Sequence, residues 1–186
     1  MSGDLKPSLL RRLWLRAVAT AGVAAAVLLS WWWKVEDARI PETAPAAGFG
    51  RPVDLGRSML TPAALEWRAD DGQIVLNAVM ENTTGETQIA IFGAPAHLPQ
   101  LILDGAPQPA PEIVLSRDNA PLRQLQPRMA EEIALIWPAP PGWRPVPVQI
   151  DFERQTFKLK DNLYGQSSWL GFVPSARLSA TPQRRP

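Results

Sequence analysis

The stretch VPVQIDFE, residues 146–153, decides the fold because its apolar and polar side chains alternate one by one. In an extended chain alternate residues share a face, so the two valines, Ile150 and Phe152 lie on one side and the polar residues on the other. This period of two is typical of a strand with one buried face and one wet face. The chain therefore contains an amphipathic β-strand.

Similar patterns recur on both sides of this stretch. Alternating or short apolar runs lie at 74–80, 87–92, 101–103, 113–115, 133–137 and 157–159. Turn sequences separate them, among them Asp70-Asp71-Gly72, Asp104-Gly105 and Pro140-Pro141-Gly142. Many short strands predict an all-β domain of two packed sheets, because each amphipathic sheet must cover its apolar face with another layer. A β-barrel is the alternative.

The amino-acid composition excludes several kinds of functional site. The 186 residues include 20 prolines, which break helix interiors, and no cysteine. Without cysteine the chain has no disulfide, no thiolate metal site and no cysteine nucleophile. The 19 basic and 18 acidic residues give a net charge of +1, so no strong positive field favours nucleic acid as a partner.

An apolar segment near the start predicts a transmembrane helix. Residues 13–33, LWLRAVATAGVAAAVLLSWWW, carry one charge, Arg16. About 20 residues at roughly 1.5 Å each cover the hydrocarbon core of a bilayer, and three tryptophans mark the far headgroup level. Lys6, Arg11 and Arg12 precede the segment, so the positive-inside rule keeps residues 1–12 in the cytoplasm. The alternative is a cleaved signal peptide.

The remaining chain divides by composition. Residues 34–50, KVEDARIPETAPAAGFG, lack apolar periodicity and are predicted to form a linker. Residues 51–174 hold the strand patterns and form the predicted β-sandwich. Residues 175–186 are small, polar and basic, which predicts a disordered tail.

Three segments carry a family resemblance: NAVMENTTGE at 77–86, LQPR at 125–128 and IALIWP at 133–138. Together they resemble small telokin-type immunoglobulin-like domains, and the likeness covers residues 51–172. Such domains are often exported and membrane-tethered in bacteria, and most have no known function. The resemblance therefore implies an immunoglobulin-like β-sandwich. The chain departs from the pattern at Pro127-Arg128, where these domains usually carry Pro-Gly.

Catalytic and metal-binding signatures are not found in the sequence. The single histidine, His97, lies between Pro95 and Pro99 in a predicted loop, and no serine occupies a nucleophile elbow. The acidic pairs fit turns better than calcium sites, which need six to eight oxygen ligands. We therefore predict no catalytic residue, no metal and no cofactor. Asn82-Thr83-Thr84 matches the glycosylation sequon, but we favour the interpretation that Asn82 and Gly85 form the turn after Met80.

One segment, RQTFKLKDNLYGQSSWLGF at 154–172, combines basic and aromatic residues. The candidate partner-binding residues are Arg154, Lys158, Lys160, Tyr164 and Trp169. Such a combination can bind a protein partner or anionic headgroups. The alternative is an edge strand whose lysines prevent aggregation, followed by aromatic residues that pack on the sandwich.

These features predict a single-pass, membrane-anchored, non-enzymatic accessory or interaction protein. It would present an immunoglobulin-like domain outside the cytoplasm, in the periplasm of a Gram-negative cell, and its partners would be the membrane and a membrane or envelope protein. The alternative is a sensor or carrier that binds a small ligand between its sheets, which requires a large apolar pocket.

Overall fold

The computed structural model describes residues 9–37, 44–160 and 165–185. These residues form two compact units, of which one is an N-terminal helix and the other a β-sandwich. The predicted β-sandwich preceded by one apolar helix is thereby confirmed.

Helix α1 spans Leu9–Asp37. Its segment Leu13–Glu36 has 24 residues and is long and apolar enough to cross a membrane, which suggests membrane anchoring. The predicted membrane segment 13–33 lies inside this helix. The helix also continues through residues 34–37, which the sequence had placed in the linker, because Lys34 to Asp37 are compatible with a last helical turn.

Eleven strands are present among the described residues. They are β1 (Ala46–Ala47), β2 (Val53–Asp54), β3 (Ser58–Arg68), β4 (Gln73–Asn82), β5 (Gln100–Leu103), β6 (Ala106–Pro107), β7 (Glu112–Leu115), β8 (Ala130–Pro138), β9 (Val148–Lys158), β10 (Ser168–Ala180) and β11 (Gln183–Arg185). One sheet has the order β1-β10-β9-β5-β6 and the other the order β11-β3-β4-β8-β7, with β2 paired to β3.

The longer strands follow an immunoglobulin order. In constant-type immunoglobulin domains strands A, B, E and D form one sheet and C, F and G the other. Here β3-β4-β8-β7 and β5-β9-β10 occupy the same places in the two sheets. The strands β9 and β10 therefore correspond to F and G.

The core lies between the sheets and is filled by inward-facing side chains. In β4 every second residue from Ile74 to Met80 is buried, as the alternation predicts. The largest fully buried side chains are Trp137 on β8 and Phe152 on β9, with exposures of 0% and 1%. Trp67 and Trp143 pack against the edge of this core and contact each other edge to face, with ring centroids 5.8 Å apart.

The predicted disordered tail was wrong. Residues 175–180 continue β10, and Ala176 and Leu178 point into the core with exposures of 7% and 2%. Residues 183–185 then form β11, which pairs with the end of β3. Residues 175–180, SARLSA, do alternate, but two of the three apolar residues are alanines, which are weak strand formers.

Two other predicted boundaries also change. Residues 46–50 were predicted as linker, but they contain β1 and a turn in which the Gly50 N–H donates to the carbonyl oxygen of Pro62 over 2.7 Å. Residues 87–92 are not a strand. Only Gln88 forms a β-bridge there, with Leu125, because the chain turns at Gly93, whose φ is +91°.

Candidate functional site

The candidate site lies on the β9–β10 hairpin at the end of the sandwich where β3 begins. The two strands are antiparallel, with Phe157 opposite Trp169 and Lys158 opposite Ser168. One extra residue in β10 between Trp169 and Phe172 forms a β-bulge. Bulges increase the local twist and reorient side chains, which is how the end of the hairpin departs from the alternation of the sandwich.

Apolar side chains are exposed at this end of the hairpin. Leu159 is 83% exposed, Phe157 47% and Leu170 46%. Phe157 lies two residues beyond the buried Gln155 and therefore shares its face of β9, but Phe157 is itself exposed. We call Phe157, Leu159, Trp169 and Leu170 with Lys158 and Lys160 the hairpin surface.

The hairpin surface has two chemically different faces around β9. The rings of Phe157 and Trp169 share one face, with centroids 4.8 Å apart. Lys158 is the next residue along the strand and therefore projects from the opposite face. Among the residues that the structure describes, neither Lys158 nor Lys160 forms an ion pair with a carboxylate. The described end of the hairpin is thus an amphipathic ribbon whose two lysines pair with no described carboxylate.

Arg57, in the turn before β3, contacts the hairpin through Gln155 and Trp169. Its Nε donates to Oε1 of Gln155 over 2.9 Å, and its Nη1 donates to Oε1 of Gln88 over 3.3 Å. The guanidinium also lies 4.3 Å from the centroid of the Trp169 ring, within the range of a cation–π contact. Burial lowers the pKa of Arg57 from its ordinary value. Neutral amides and a ring, rather than a carboxylate, hold this half-buried cation.

Gln155 connects the ribbon to the neighbouring loops. Its side chain is 3% exposed, and its Nε2 donates to the carbonyl oxygens of Ala94 and Leu170 over 3.3 and 3.1 Å. The turn at Gly56 passes so close that a Cβ there would clash with the carbonyl oxygen of Gln155. Gly56 also has a φ of +92°, so both backbone conformation and space require glycine at this position.

The predicted site residues are only partly brought together. Lys158 and Trp169 are neighbours in the hairpin but face opposite sides. Arg154 lies further down β9, where its Nη1 is 3.3 Å from a carboxylate oxygen of Asp54. Lys160 is exposed beyond the end of the strand. Tyr164 lies outside the described residues.

Sequence reasoning missed Arg57 and Gln155 and assigned Phe157 and Leu159 only to a strand. The alternation of Phe157 and Leu159 with two lysines was the available signal for an amphipathic ribbon. Arg57 gave no such signal, because it is 98 residues away from Gln155 in the chain.

His97 is held in place by Glu153 and Phe172. Its Nδ1 lies 2.6 Å from Oε2 of Glu153, and its ring stacks on Phe172 with centroids 3.7 Å apart and planes 5° apart. Within the described residues no serine or threonine hydroxyl bonds to His97, and no group of three or more His, Asp or Glu side chains could hold a metal ion. The loop position predicted for His97 is confirmed, since it lies between β4 and β5.

Asn82 is buried at the end of β4. Its Nδ2 donates to the carbonyl oxygens of Glu86 and Leu125 over 2.7 and 2.9 Å. Its Oδ1 accepts from the backbone N–H and the hydroxyl of Thr84, both over 2.8 Å. With an exposure of 0%, this amide holds the turn, as the turn prediction expects, and is inaccessible as a glycan acceptor in the folded domain.

The depressions around the described residues are open to solvent at the surface. One of them, about 550 Å³, lies beside the segment 115–126 and Glu131. Another of about 410 Å³ lies on the outer side of the β5–β9 sheet beside His97, Asp151 and Glu153. These two depressions lie outside the space between the sheets, which Trp137, Phe152 and their neighbours fill.

Comparisons with known proteins give a fold likeness. No protein-family model matches the chain, and no curated protein matches it. Among solved structures, an uncharacterized β-sandwich protein from Clostridium difficile 630 is similar, with a TM-score of 0.48 and 11% sequence identity. The similarity covers 76% of this chain and 97% of that chain.

Proposed function

We propose that this chain is a single-pass membrane-anchored, non-enzymatic accessory protein. It presents an immunoglobulin-like sandwich outside the cytoplasm and binds another component of the envelope through the hairpin surface. The observation that carries this proposal is the exposed apolar end of the hairpin, where Leu159 is 83% exposed. Water contact of such side chains is unfavourable, and a cluster of them beside charged residues is typical of a contact surface.

The strand order supports a binding role by analogy. The β9–β10 hairpin takes the position of the F–G hairpin, and in variable domains the F–G loop belongs to the antigen-binding end. The loop between β4 and β5 takes the position of the B–C loop and contacts the hairpin, through Gln88 and Arg57. Because one fold hosts many functions, this analogy indicates only where to look for binding.

The polar groups of the sandwich support a non-enzymatic role. His97 bonds to Glu153 and stacks on Phe172, while Asn82 and Gln155 use their amides to hold loops. Side chains engaged in this way position backbone rather than a substrate. We do not propose the alternative of a ligand between the sheets, because buried side chains occupy that space.

The sequence supports an extracytoplasmic location. Arg11, Arg12 and Arg16 lie at the start of α1, and only Lys34 follows in its last turn before Glu36 and Asp37. Excess positive charge before a spanning helix keeps that end in the cytoplasm, which places the sandwich on the other side.

Cysteine labelling tests the topology, since the chain has no cysteine of its own. A cysteine at Asp71, in the exposed β3–β4 turn, should react with a membrane-impermeant maleimide in intact spheroplasts. A cysteine at Ser2 should react only after lysis. Labelling of the Ser2 variant in intact spheroplasts, with the Asp71 variant protected, would refute the proposed orientation.

Photocrosslinking tests the binding surface. A photoreactive amino acid at position 159 of the full chain should give a discrete adduct in native membranes. The matched position is Asp104, in the exposed turn after β5 at the opposite end of the sandwich, where no adduct is expected. Equal or absent crosslinking at the two positions, with protein and lipid adducts both scored by mass spectrometry, would overturn the proposal.

A further inference from the structure

The nature of the component bound by the hairpin surface can be inferred from its composition. Phe157, Leu159 and Trp169 provide apolar and aromatic groups, and Lys158 and Lys160 alternate with the first two along the chain. In the centres of protein–protein interfaces arginine is enriched and lysine is depleted. Lysine next to leucine, phenylalanine and tryptophan is instead the composition of segments that lie in the headgroup region of a membrane.

Charge at this end of the sandwich also favours an anionic surface. Lys158 and Lys160 form no ion pair with a described carboxylate, and Arg57 is held by two amide oxygens and a ring. Lysines near an anionic leaflet gain favourable energy from its surface potential. The apolar side chains add the burial of exposed surface among the headgroups.

Because the chain is anchored in a membrane, the bilayer that holds α1 is the lipid surface available to the hairpin. Eight residues, 38–45, separate the end of α1 from β1, and a chain of this length spans at most roughly 30 Å. A tether raises the effective concentration of the surface to which it is attached, so a contact that is weak in isolation is populated.

We propose that the hairpin surface enters the anionic phospholipid headgroups of the bilayer that anchors the chain, with Phe157 and Leu159 on one face at the level of the headgroups and Lys158 and Lys160 on the other face contacting lipid phosphates. This inference rests on the proposed function and names the component that the hairpin surface binds. The bound hairpin then fixes the sandwich at the membrane at a second point besides α1.

The test uses the full chain with a single cysteine at Leu159, labelled with an environment-sensitive fluorophore and reconstituted into liposomes. In liposomes with anionic lipid we expect a blue-shifted emission and at least a three-fold smaller quenching constant for acrylamide than in zwitterionic liposomes. High salt should reduce this difference, because it screens the lysines. The matched control is Asp71→Cys at the opposite end of the sandwich, whose label should remain equally quenched in both lipids.

A second variant separates charge from apolar contact. Lys158→Gln with Lys160→Gln, in the Leu159→Cys background, should lose most of the difference between anionic and zwitterionic lipids while the sandwich remains folded. Retention of the full difference in this variant would overturn the role of the lysines.

Three outcomes distinguish this inference from the proposed function. If the label at 159 is quenched as strongly as the label at 71 in anionic liposomes, the lipid contact is refuted. If, in addition, position 159 crosslinks to a protein in native membranes, the proposed function stands with a protein as the bound component. If the full chain fails to float with liposomes of either composition, anchoring itself is refuted and both proposals fail.

Discussion

The buried side-chain amide of Asn82 organises the end of strand β4. Four hydrogen bonds converge on its side chain, two donated to backbone carbonyls and two accepted from Thr84. The bonds join the end of β4 to the loop before β8, which are distant in sequence. Because the side chain is fully buried, each bond lost would leave a desolvated polar group.

Asn82→Ala should therefore destabilise the sandwich by about 2–4 kcal/mol. The measurement is urea unfolding followed by tryptophan fluorescence. Asn77→Ala is the matched control, because Asn77 lies on the same strand and its side chain forms no hydrogen bond with a described residue. The control should change the free energy of unfolding by less than about 0.5 kcal/mol. Equal losses in the two variants would contradict the assigned role of Asn82.

Arg128 occupies the position where the resembled domains carry glycine. Its φ is +56°, in the left-handed region, and its backbone N–H donates to the carbonyl oxygen of Asn82 over 3.1 Å. A side chain in this region costs about 1–2 kcal/mol, whereas glycine costs about 0.5–1 kcal/mol in unfolded-state entropy. The turn therefore forms although arginine stands where the resembled domains have glycine. The left-handed backbone at Arg128 is strained.

Arg128→Gly should accordingly stabilise the sandwich by about 0.5–1 kcal/mol. Arg144→Gly, at an exposed position with an ordinary negative φ, should instead destabilise it by about 0.5–1 kcal/mol. Thermal or urea unfolding of the two variants side by side measures both values. A loss of stability in Arg128→Gly as large as that in Arg144→Gly would show that the left-handed conformation carries no strain.

At the scale of elements, the apolar pattern predicted β4, β5, β7, β8 and β9 but missed β3 and β10. The sequences of β4, β8 and the first half of β9 alternate because each of these strands lies inside a sheet and packs one face against the core. The strands β3 and β10 were missed, since Pro62 and Pro174 with nearby bulges interrupt their period.

The candidate site was only half predictable for a similar reason. Its aromatic and basic residues are visible in the sequence, but their faces depend on the register of β9 with β10. Exposure of Phe157 depends on the tertiary structure around the end of the hairpin, and Arg57 reaches Gln155 only because the fold brings the two residues together. The local sequence pattern reveals neither the exposure of Phe157 nor the contact of Arg57.

The position of the hairpin depends on Arg57, which gives an element-scale prediction. Arg57→Ala removes two hydrogen bonds to amides and the cation–π contact with Trp169, together worth about 1–3 kcal/mol. Backbone amides of the described hairpin residues near Phe157 and Trp169 should therefore exchange at least about ten-fold faster with deuterium.

Arg154→Ala is the control, because Arg154 lies on the same hairpin but forms an exposed ion pair with Asp54. Such pairs contribute roughly 0–1 kcal/mol, so exchange at the end of the hairpin should change little. Faster exchange in Arg154→Ala than in Arg57→Ala would show that the ion pair, rather than the Arg57 cluster, holds the hairpin.

At the scale of the whole molecule, the hydrophobic core cluster lies within the sandwich. Every buried residue of the core cluster lies between Val53 and Leu178, and the described side chains of α1 are exposed. The domain has no disulfide to form, because the chain has no cysteine. Folding of the sandwich should therefore need neither the helix nor an oxidising environment.

A fragment of residues 44–186 should fold cooperatively on its own, with an unfolding enthalpy of about 100 kcal/mol near 60 °C that a reductant does not change. Calorimetry checks this through agreement of the calorimetric and van't Hoff enthalpies. The matched truncation is 44–174, which ends where the sequence placed the domain boundary. It removes the core residues Ala176 and Leu178 and the second half of β10, so it should show no cooperative transition. A truncated fragment as stable as the longer one would mean that residues 175–185 are dispensable additions to a domain already complete at Pro174.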